Sequence, residues 1–277
     1  MAQENRAPLL SLVTAVWSDP AGLQKTFQSL LPMVPELRSR NISFEHIVVD
    51  SSPELHGGAY ASIPAGYPWT RLHAPRSGIY PAMNIGARAA KGELVWFLNA
   101  GDSLLDPSAL LEALKLRPGK RAALLCGPVQ VSEAGYAREL ACPDFHSATF
   151  GSNRMCHQAV LYPRDLLLQF GLFDESFRLA ADYQLHLRMH LQGVELIPYP
   201  RPFASFELGG ASDRVLSVLR EFSRAQRECN AGWADAVLRQ GKLLQYASWI
   251  GLSRTARALL GKGLHLRLKK VRGKFSG

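Results

Sequence analysis

The stretch from Glu93 to Asp102, read as E-L-V-W-F-L-N-A-G-D, constrains the fold more than any other part of the sequence. It begins as an apolar run that is too short to cross a membrane and is rich in strand-forming residues, which predicts a buried parallel strand. In open α/β sheets, ligands bind outside the carboxyl ends of the strands. Asp102 is therefore placed to hold a hard divalent cation against a phosphate. A polar turn after a core strand explains the same residues equally well.

The strands and helices before Asp102 alternate. Leu9–Val16 and Phe44–Asp50 read as buried strands, and the second also ends on a carboxylate. Asp19-Pro20 predicts a helix start with proline at the first helical position. A helix packed closely on the sheet is expected over Ile79–Gly92, where small residues recur. This alternation predicts an α/β fold with a mainly parallel, right-handed central sheet flanked by helices.

The second half of the chain predicts shorter elements. Asp182 opens a helix that runs to about Gln192, and the pattern beyond Asp213 is wholly helical. His157 and Gln158 fall in a predicted strand. The other predicted elements are a helix over Pro107–Leu116 and strands over Trp69–Ala74, Ala122–Cys126, Pro128–Ser132, Tyr136–Leu140, Cys156–Tyr162, Val194–Tyr199 and Phe203–Glu207.

The net charge of +9 is concentrated in the C-terminal tail. No acidic residue follows Asp235, whereas ten Lys and Arg residues do, so residues 1–235 carry a net charge of −1. A nucleic-acid partner is therefore not expected for the main domain. Hydrophobic residues make up 47% and charged residues 20%, which is typical of a soluble globular protein with a sizeable core. The polar start and the four scattered cysteines indicate a cytoplasmic protein with reduced thiols.

Within the tail, residues 253–277 carry a pattern typical of a membrane-surface helix. Apolar residues fall near one helical face and basic residues surround them, which suits an anionic bilayer. A solvated terminal helix remains the alternative. The apolar residues of that face are Leu260, Leu264, Leu268, Val271 and Phe275.

A set of short motifs, each weak alone, falls in a specific order over residues 9–212. The chain resembles the bacterial family-2 glycosyltransferases of the GT-A fold, particularly those that build exopolysaccharide and lipid-linked oligosaccharide chains. The motifs that carry the resemblance are the first strand with Thr14, Ile47-Val48-Val49-Asp50, Gly78 to Asn84, Phe97 to Asp102, His157-Gln158-Ala159, Phe173-Asp174-Glu175, Ala181-Asp182-Tyr183 and Gly209-Gly210-Ala211-Ser212.

The resemblance implies a Rossmann-like GT-A domain over residues 1–212, with a nucleotide-sugar half over about 1–106 and an acceptor half over about 107–212. Residues 213–277 would form a basic helical extension. It also implies an inverting, metal-dependent transfer of a sugar from a UDP- or GDP-sugar, assisted by Mg or Mn. The acceptor would be a glycan or a polyprenyl-diphosphate-linked saccharide, and the enzyme would work at the inner face of the cytoplasmic membrane.

The same resemblance suggests roles for individual residues. Asp102 would be the metal-binding carboxylate and Asp182 the catalytic base. Pro81 stands where the family usually has Asp, and the first Asp of its Asp-x-Asp motif is not evident, so the resemblance is less direct at the nucleotide contacts. The residues expected to bind the donor are Thr14, Asp50, Arg76, Asn84 and Asn99, and further candidates for donor or acceptor contacts are Tyr80, His157 and Gln158.

Each candidate has a structural alternative. Asp182 could be the N-cap of the helix that follows it, although we favour the base. His157, Gln158 and Tyr80 could belong to the core. Because Asn99 is neutral, we expect weak binding of the cation until the donor arrives with its phosphate oxygens.

Two other functions fit the pattern less well. Nucleotidylyltransferases share the sheet and the metal chemistry, but usually carry a Gly-rich loop with Arg after the first strand, where this chain has Trp17-Ser18-Asp19-Pro20. A non-catalytic nucleotide-sugar-binding or scaffold protein would use the basic tail as its working part. Release of UDP or GDP from a donor distinguishes a transferase from such a protein.

Overall fold

The computed structural model describes residues 7–53, 60–61, 63–119, 121–133, 136–142, 144–146, 155–207 and 215–229. The chain divides into two compact units, Met1–Cys229 and Asn230–Gly277. The glycine motif at 209–212 and the basic tail segment at 253–277 both lie outside the described residues.

A mainly parallel sheet forms the centre of the first unit. The inner strand β1 pairs in parallel with β2 on one side and β4 on the other. All seven residues of β1 are buried, including Ser11 and Thr14, which explains why its sequence is mainly apolar rather than alternating. Strand β9 is antiparallel to both of its neighbours, so the sheet is mixed at that point. In the described residues the strand order is β10-β6-β9-β4-β1-β2-β3, with β1 Leu10–Val16, β2 Phe44–Asp50, β3 Trp69–His73, β4 Leu94–Phe97, β6 Ala123–Cys126, β9 Val160–Pro163 and β10 Glu195–Pro198.

A smaller sheet begins directly after Asp102. Its order within the described residues is β5-β11-β7-β8, and the strands predicted near 130 and 138 pair with each other in antiparallel fashion. The central strand β11 ends at Glu207, which lies at the same cleft as Asp102. The bounds are β5 Ser103–Leu104, β7 Val129–Glu133, β8 Tyr136–Leu140 and β11 Ala204–Glu207.

The helices follow the predicted starts closely where a proline or an acidic cap marks them. Asp19 caps the first helix by accepting a 2.8 Å hydrogen bond from the N–H of Gly22, and Pro20 is its first residue, as predicted. The sequence did not predict α2 or α5, which are short. The helices are α1 Pro20–Leu30, α2 Met33–Ser39, α3 Ile79–Ala89, α4 Pro107–Lys115, α5 Arg164–Gln169, α6 Ala181–Leu191 and α7 Val215–Glu228.

Helix α3 lies directly on the sheet because two glycines remove side chains at the contact. A Cβ atom added to Gly86 would lie 2.3 Å from Cγ1 of Val13. One added to Gly92, three residues past the helix, would lie 2.6 Å from the backbone nitrogen of Ser11. The predicted close packing is therefore confirmed, although the helix ends at Ala89 rather than at Gly92.

One strand prediction was wrong. The segment from Cys156 to Tyr162 begins as a 3₁₀ turn over His157–Ala159, and strand β9 starts only at Val160. The turn is closed by the N–H of Ala159, which donates to the carbonyl of Cys156 at 2.9 Å. In a strand, consecutive side chains would point to opposite faces. The turn instead allows His157 and its neighbour Gln158 to reach the same group of polar side chains.

The first compact unit continues beyond the last motif of the resemblance. The first compact unit extends to Cys229, whereas the motifs suggested an end at residue 212. The reason is that α7 packs against α6, with the rings of Tyr183 and Phe222 4.3 Å apart. Among the helices that the structure describes, none is long and apolar enough to cross a membrane.

Candidate active site

The turn after β4 brings Asp102 to the carboxyl edge of the sheet. Gly101 has a φ of +93°, a left-handed conformation that glycine adopts without strain. The turn is closed by the N–H of Asp102, which donates to the carbonyl of Asn99 at 2.9 Å. The hydroxyl oxygen of Thr26 in α1 lies 3.1 Å from the carbonyl of Asn99 and 2.7 Å from that of Asp102, and accepts from the N–H of Gly101. Thr26 thus fixes the turn, and no sequence pattern pointed to it.

The carboxylate of Asp102 is partly exposed and held in one orientation. Its Oδ2 accepts from the side-chain amide of Gln158 and from the N–H of Asn99, both at 3.1 Å. Within the described residues both bonds go to Oδ2, so Oδ1 is available to a ligand. Burial raises the pKa of Asp102 to about 6, against the lowering effect of the hydrogen bonds from Gln158 and Asn99.

A cleft of about 340 Å³ opens beside Asp102. It lies between the start of α1, the turn after β4 and the end of β11. Its charged lining combines one lysine with three carboxylates, of which only Asp102 is held by the turn. The lining residues are Asp19, Ala21, Gly22, Lys25, Ala100, Gly101, Asp102 and Glu207.

The donor set around Asp102 fits a cation only if a ligand completes the coordination. Among the residues that the structure describes, no group of three or more His, Cys, Asp or Glu side chains is arranged to hold a metal ion. Asn99 does not add an oxygen ligand, because its Oδ1 accepts from the N–H of Ala15 at 3.3 Å. The protein therefore offers the carboxylate of Asp102, and most of the ligands of a Mg or Mn ion would come from phosphate and water.

Asn99 and His157 connect Asp102 to Asp182. The Nδ2 atom of Asn99 lies 3.0 Å from Nε2 of His157, and Nδ1 of the same ring lies 3.3 Å from Oδ2 of Asp182. Because Oδ1 of Asn99 faces the N–H of Ala15, its amide nitrogen must donate to Nε2 of His157. Nδ1 of the same ring then donates to the carboxylate of Asp182.

Asp182 is held from three directions. Besides the bond from His157, its Oδ1 accepts from the hydroxyl of Tyr80 at 3.1 Å and from the N–H of Tyr183 at 2.8 Å. Burial raises the pKa of Asp182, but the hydrogen bonds from His157 and Tyr183 outweigh it and lower the pKa below its ordinary value. Asp182 is therefore a carboxylate at neutral pH, able to accept a proton.

The N-cap alternative for Asp182 was wrong. The helix begins one residue earlier, at Ala181, and the N-cap position is Ala180. The side chain of Asp182 accepts from the N–H of the adjacent Tyr183 instead of from an N–H two or three positions further on, as a capping side chain would.

Asp50 ends β2 at the same edge of the sheet, on the other side of β1 from β4. It accepts from the hydroxyl of Tyr60 at 2.7 Å and from the N–H of Ser52 at 2.9 Å, and Nε of Arg71 lies 3.5 Å away. Burial raises the pKa of Asp50, but these hydrogen bonds and the charge of Arg71 together lower it. Its side chain is 1% exposed, and it does not line the cleft beside Asp102.

The remaining candidates differ in how accessible they are. Arg76 is exposed, and its guanidinium lies 3.8 Å from the ring centre of Trp17, which is itself 47% exposed. Thr14 is fully buried, and its hydroxyl bonds His46 and the carbonyl of Leu98 at 2.8 and 2.7 Å. The roles predicted for Thr14 and Arg76 in donor binding stay predictions.

Asn84 is 1% exposed and clamps a loop. Its amide group donates to the carbonyl of Phe173 at 2.8 Å and to Glu175 at 2.9 Å, and its oxygen accepts from the N–H of Phe173 at 3.0 Å. Both amide hydrogens are thus used within the protein. The loop that Asn84 holds leads into α6 and Asp182, and the contact with the donor that the resemblance implies for Asn84 stays a prediction.

Comparison with known proteins places the chain among enzymes. A comparison with models of protein families gives no match. An uncharacterized glycosyltransferase of Mycobacterium tuberculosis strain H37Rv is 32% identical over 197 residues, which cover 67% of this chain and 70% of the relative. The chain belongs to the glycosyltransferases. A glycosyltransferase of PGL/p-HBAD biosynthesis from Mycobacterium bovis strain BCG is 27% identical over 216 residues, covering 76% of this chain and 81% of that protein.

Two solved structures share the fold of this chain. S. aureus TarS superposes with a TM-score of 0.53 and 14% identity over 77% of this chain, which spans 39% of the TarS chain. A shorter form, TarS 1-349, gives a TM-score of 0.55 and 15% identity over 78% of this chain and 64% of that chain. At such low identity the likeness concerns the fold alone.

The candidate site of this glycosyltransferase contains two carboxylates whose pKa values are shifted in opposite directions. Asp102 faces the cleft and is protonated more readily than an ordinary Asp, whereas Asp182 is ionised and oriented by three donors. They are joined through Asn99 and His157, which the motifs had placed in the site without showing how they connect. Groups whose environments separate their pKa values in this way are typical of sites that divide tasks between two acids.

Proposed function

We propose that this chain is an inverting, family-2 glycosyltransferase of the GT-A type. It transfers a sugar from a nucleoside-diphosphate donor, a UDP- or GDP-sugar, to a hydroxyl of a glycan or a lipid-linked saccharide. The observation that carries the proposal is the connected set of Asp102, Asn99, His157 and Asp182 at the carboxyl edge of the sheet. The membership of the chain among glycosyltransferases supports the reaction class.

Asp182 acts as the base in this proposal. As an acceptor oxygen attacks the anomeric carbon, its proton passes to the carboxylate of Asp182, and the bond between the sugar and the diphosphate breaks. Since attack and departure occur on opposite faces of the sugar, the configuration is inverted. His157 and Tyr80 hold the carboxylate in the orientation that the proton transfer needs. In other enzymes a hydrogen-bonded neighbour orients the base in the same way.

Asp102 serves the departing diphosphate. Negative charge that develops on it in a partly desolvated cleft is costly unless positive charge or fixed donors meet it. A Mg or Mn ion bound between Asp102 and the phosphates would neutralise that charge and orient the leaving group. Lys25, which lines the same cleft, supplies a positive charge of the protein itself.

The basic C-terminal tail would attach the enzyme to a membrane surface in this proposal. Its ten Lys and Arg residues beyond Asp235 suit an anionic bilayer surface, where a polyprenyl-diphosphate-linked acceptor would be found. A cytoplasmic enzyme attached reversibly to the inner face of the membrane would meet both its donor and such an acceptor. Residues 230–277 lie outside the described residues, so this part rests on the sequence alone.

A screen of donors tests the proposal. The full chain is mixed with UDP- and GDP-sugars, with and without Mn²⁺, and the melting temperature is measured. We expect one donor to raise it more strongly with the cation present, and that donor to be hydrolysed slowly with release of UDP or GDP. Binding without release would instead indicate a non-catalytic nucleotide-sugar-binding protein.

The base assignment has its own test. We expect Asp182→Asn to lower the rate of donor turnover by about 10²–10⁴-fold, which is the usual contribution of a general base. The melting temperature should change by only a few degrees, because Asn keeps an oxygen for the surrounding donors. Asp165→Asn is the matched control, since that side chain is 97% exposed at the start of α5. Full turnover by Asp182→Asn would remove Asp182 from the mechanism.

A further inference from the structure

The backbone before α6 is capped by a residue from a distant part of the chain. The N–H groups of Arg178, Leu179 and Ala180 donate to the carboxylate of Glu221 at 3.0, 2.8 and 2.9 Å. Ala180 occupies the N-cap position of α6 and has no polar side chain to satisfy the free N–H groups of the helix start. Glu221 of α7 accepts from the N–H of Ala180 and from those of the two residues before it, and its negative charge suits the positive end of the α6 dipole.

Other side chains of α7 hold the same segment. Arg224 donates to the carbonyl of Ser176 at 3.2 Å and lies 4.3 Å from the ring centre of Phe177. Phe222 packs against Tyr183 with the ring centres 4.3 Å apart. Helix α7 therefore contacts the chain from position 176 to 183, on both sides of the start of α6.

The position of Asp182 depends on this start. Asp182 is the second residue of α6, and its carboxylate accepts from the N–H of Tyr183 in the same turn. If the first turn of α6 frays or shifts, the carboxylate moves relative to His157 and Tyr80, which are fixed by other elements. We propose that Glu221 is a positioning residue of the reaction, because it fixes the start of α6 and thereby the direction of the Asp182 carboxylate. This inference rests on the proposed role of Asp182 as base.

The expected effect falls on turnover rather than on donor binding. Glu221 lies in the part of the structure that carries Asp182, whereas the donor diphosphate is assigned to Asp102. A displacement of a catalytic group by about 1 Å can cost about 10²-fold in rate. We therefore expect Glu221→Ala to lower kcat by about ten- to a hundred-fold while the donor KM stays within about two-fold.

Two measurements on the full chain test the inference, namely steady-state kinetics of donor turnover and hydrogen exchange of the backbone amides. In Glu221→Ala the amides of residues 178–180 should exchange faster and kcat should fall. Glu221→Gln keeps one acceptor oxygen, so it should lie between the wild type and Ala in both measurements, and it remains informative if the Ala variant does not fold. Glu228→Gln is the control, because it removes an exposed carboxylate of the same helix and keeps an acceptor for Arg224.

The outcomes separate this inference from the proposed function. Unchanged exchange at 178–180, unchanged kcat, or a loss expressed only in KM would each overturn the positioning role. If the wild type releases no diphosphate from any donor, the proposed function fails. Faster exchange confined to the Glu221 variants would still support the capping contact on which the inference depends.

Discussion

Asp102 shows how a single ionised residue can lower the stability of the folded protein and still be suited to bind a ligand. Its pKa is raised to about 6, so above that pH the folded protein carries a desolvated negative charge. A group whose pKa is raised on folding favours the folded state while protonated, and this advantage disappears as the pH rises from about 4 to about 6. A cation at Oδ1 would restore it.

We therefore expect Asp102→Asn to be more stable than the wild type at pH 7.5 and of similar stability at pH 4. The difference at pH 7.5 should be no more than about 3 kcal/mol, because each pKa unit corresponds to about 1.4 kcal/mol and the side chain is partly exposed. Denaturant unfolding of both proteins at the two pH values measures it. A variant that is less stable than the wild type at pH 7.5 would contradict the account.

The same residue predicts how the cation should act. Mn²⁺ together with UDP should raise the melting temperature of the wild type at pH 7.5, and the gain should shrink below about pH 6 as Asp102 is protonated. Asp102→Asn should show little of this gain at either pH. Mn²⁺ alone should have a small effect, because the described residues contain no group of three or more metal-binding side chains.

Helix α3 is positioned by a contact with the sheet that leaves no room for a side chain at Gly86. Helix α3 carries Tyr80, which bonds Asp182, and Asn84, which clamps the loop before α6. The distance between α3 and the sheet is therefore a determinant of the site. It is set by Gly86, whose Cα faces Val13 of β1.

Gly86→Ala tests this contact, because two effects of opposite sign compete. Alanine favours a helix over glycine by about 1 kcal/mol. The added Cβ would lie 2.3 Å from Cγ1 of Val13, and overpacking of this kind typically costs about 1–3 kcal/mol. We expect the clash to win, so that the free energy of unfolding falls. It is measured by urea unfolding, with Arg88→Ala at an exposed position of the same helix as the control; a stabilised Gly86→Ala protein would show that the helix can move away without cost.

At the scale of the whole molecule, the compact unit that contains the site ends at Cys229. It includes both sheets, α6 with Asp182 and α7 with Glu221. The basic residues that follow Asp235 lie in the second unit. The proposed catalytic and membrane-binding tasks are therefore divided between the two units.

A chain that ends at Cys229 should separate these tasks. We expect it to keep a melting temperature within a few degrees of the full chain and to keep donor hydrolysis, because α7 is retained. Binding to vesicles that contain anionic lipid should be lost, since each basic residue near such a surface contributes about 1 kcal/mol. Co-sedimentation at low and high salt measures this, with vesicles of neutral lipid as the control. Equal binding of both chains would show that the tail is not the membrane contact.

The amino-acid sequence determined the strands and where they end. Segments rich in apolar residues identified β1, β2 and β4, and the acidic residues that follow or end β2 and β4 located Asp50 and Asp102 at one edge of the sheet. The proline and aspartate before α1 located its first residue. These predictions succeeded because burial, capping and turn chemistry are local and leave patterns within a few residues.

Only the tertiary structure decided how the site is connected. The contacts of Asn99 with His157, of His157 with Asp182 and of Tyr80 with Asp182 join residues 58, 25 and 102 positions apart. The 3₁₀ turn at His157 and the capping of α6 by Glu221 likewise depend on neighbours that are distant in the chain. A hydrogen bond between such residues leaves no periodicity in either segment, because its geometry is set by the packing of whole elements. Local patterns therefore identified the acids, and the packing of the fold determined that Asp102 lines the cleft and that Asp182 accepts hydrogen bonds from His157 and Tyr80.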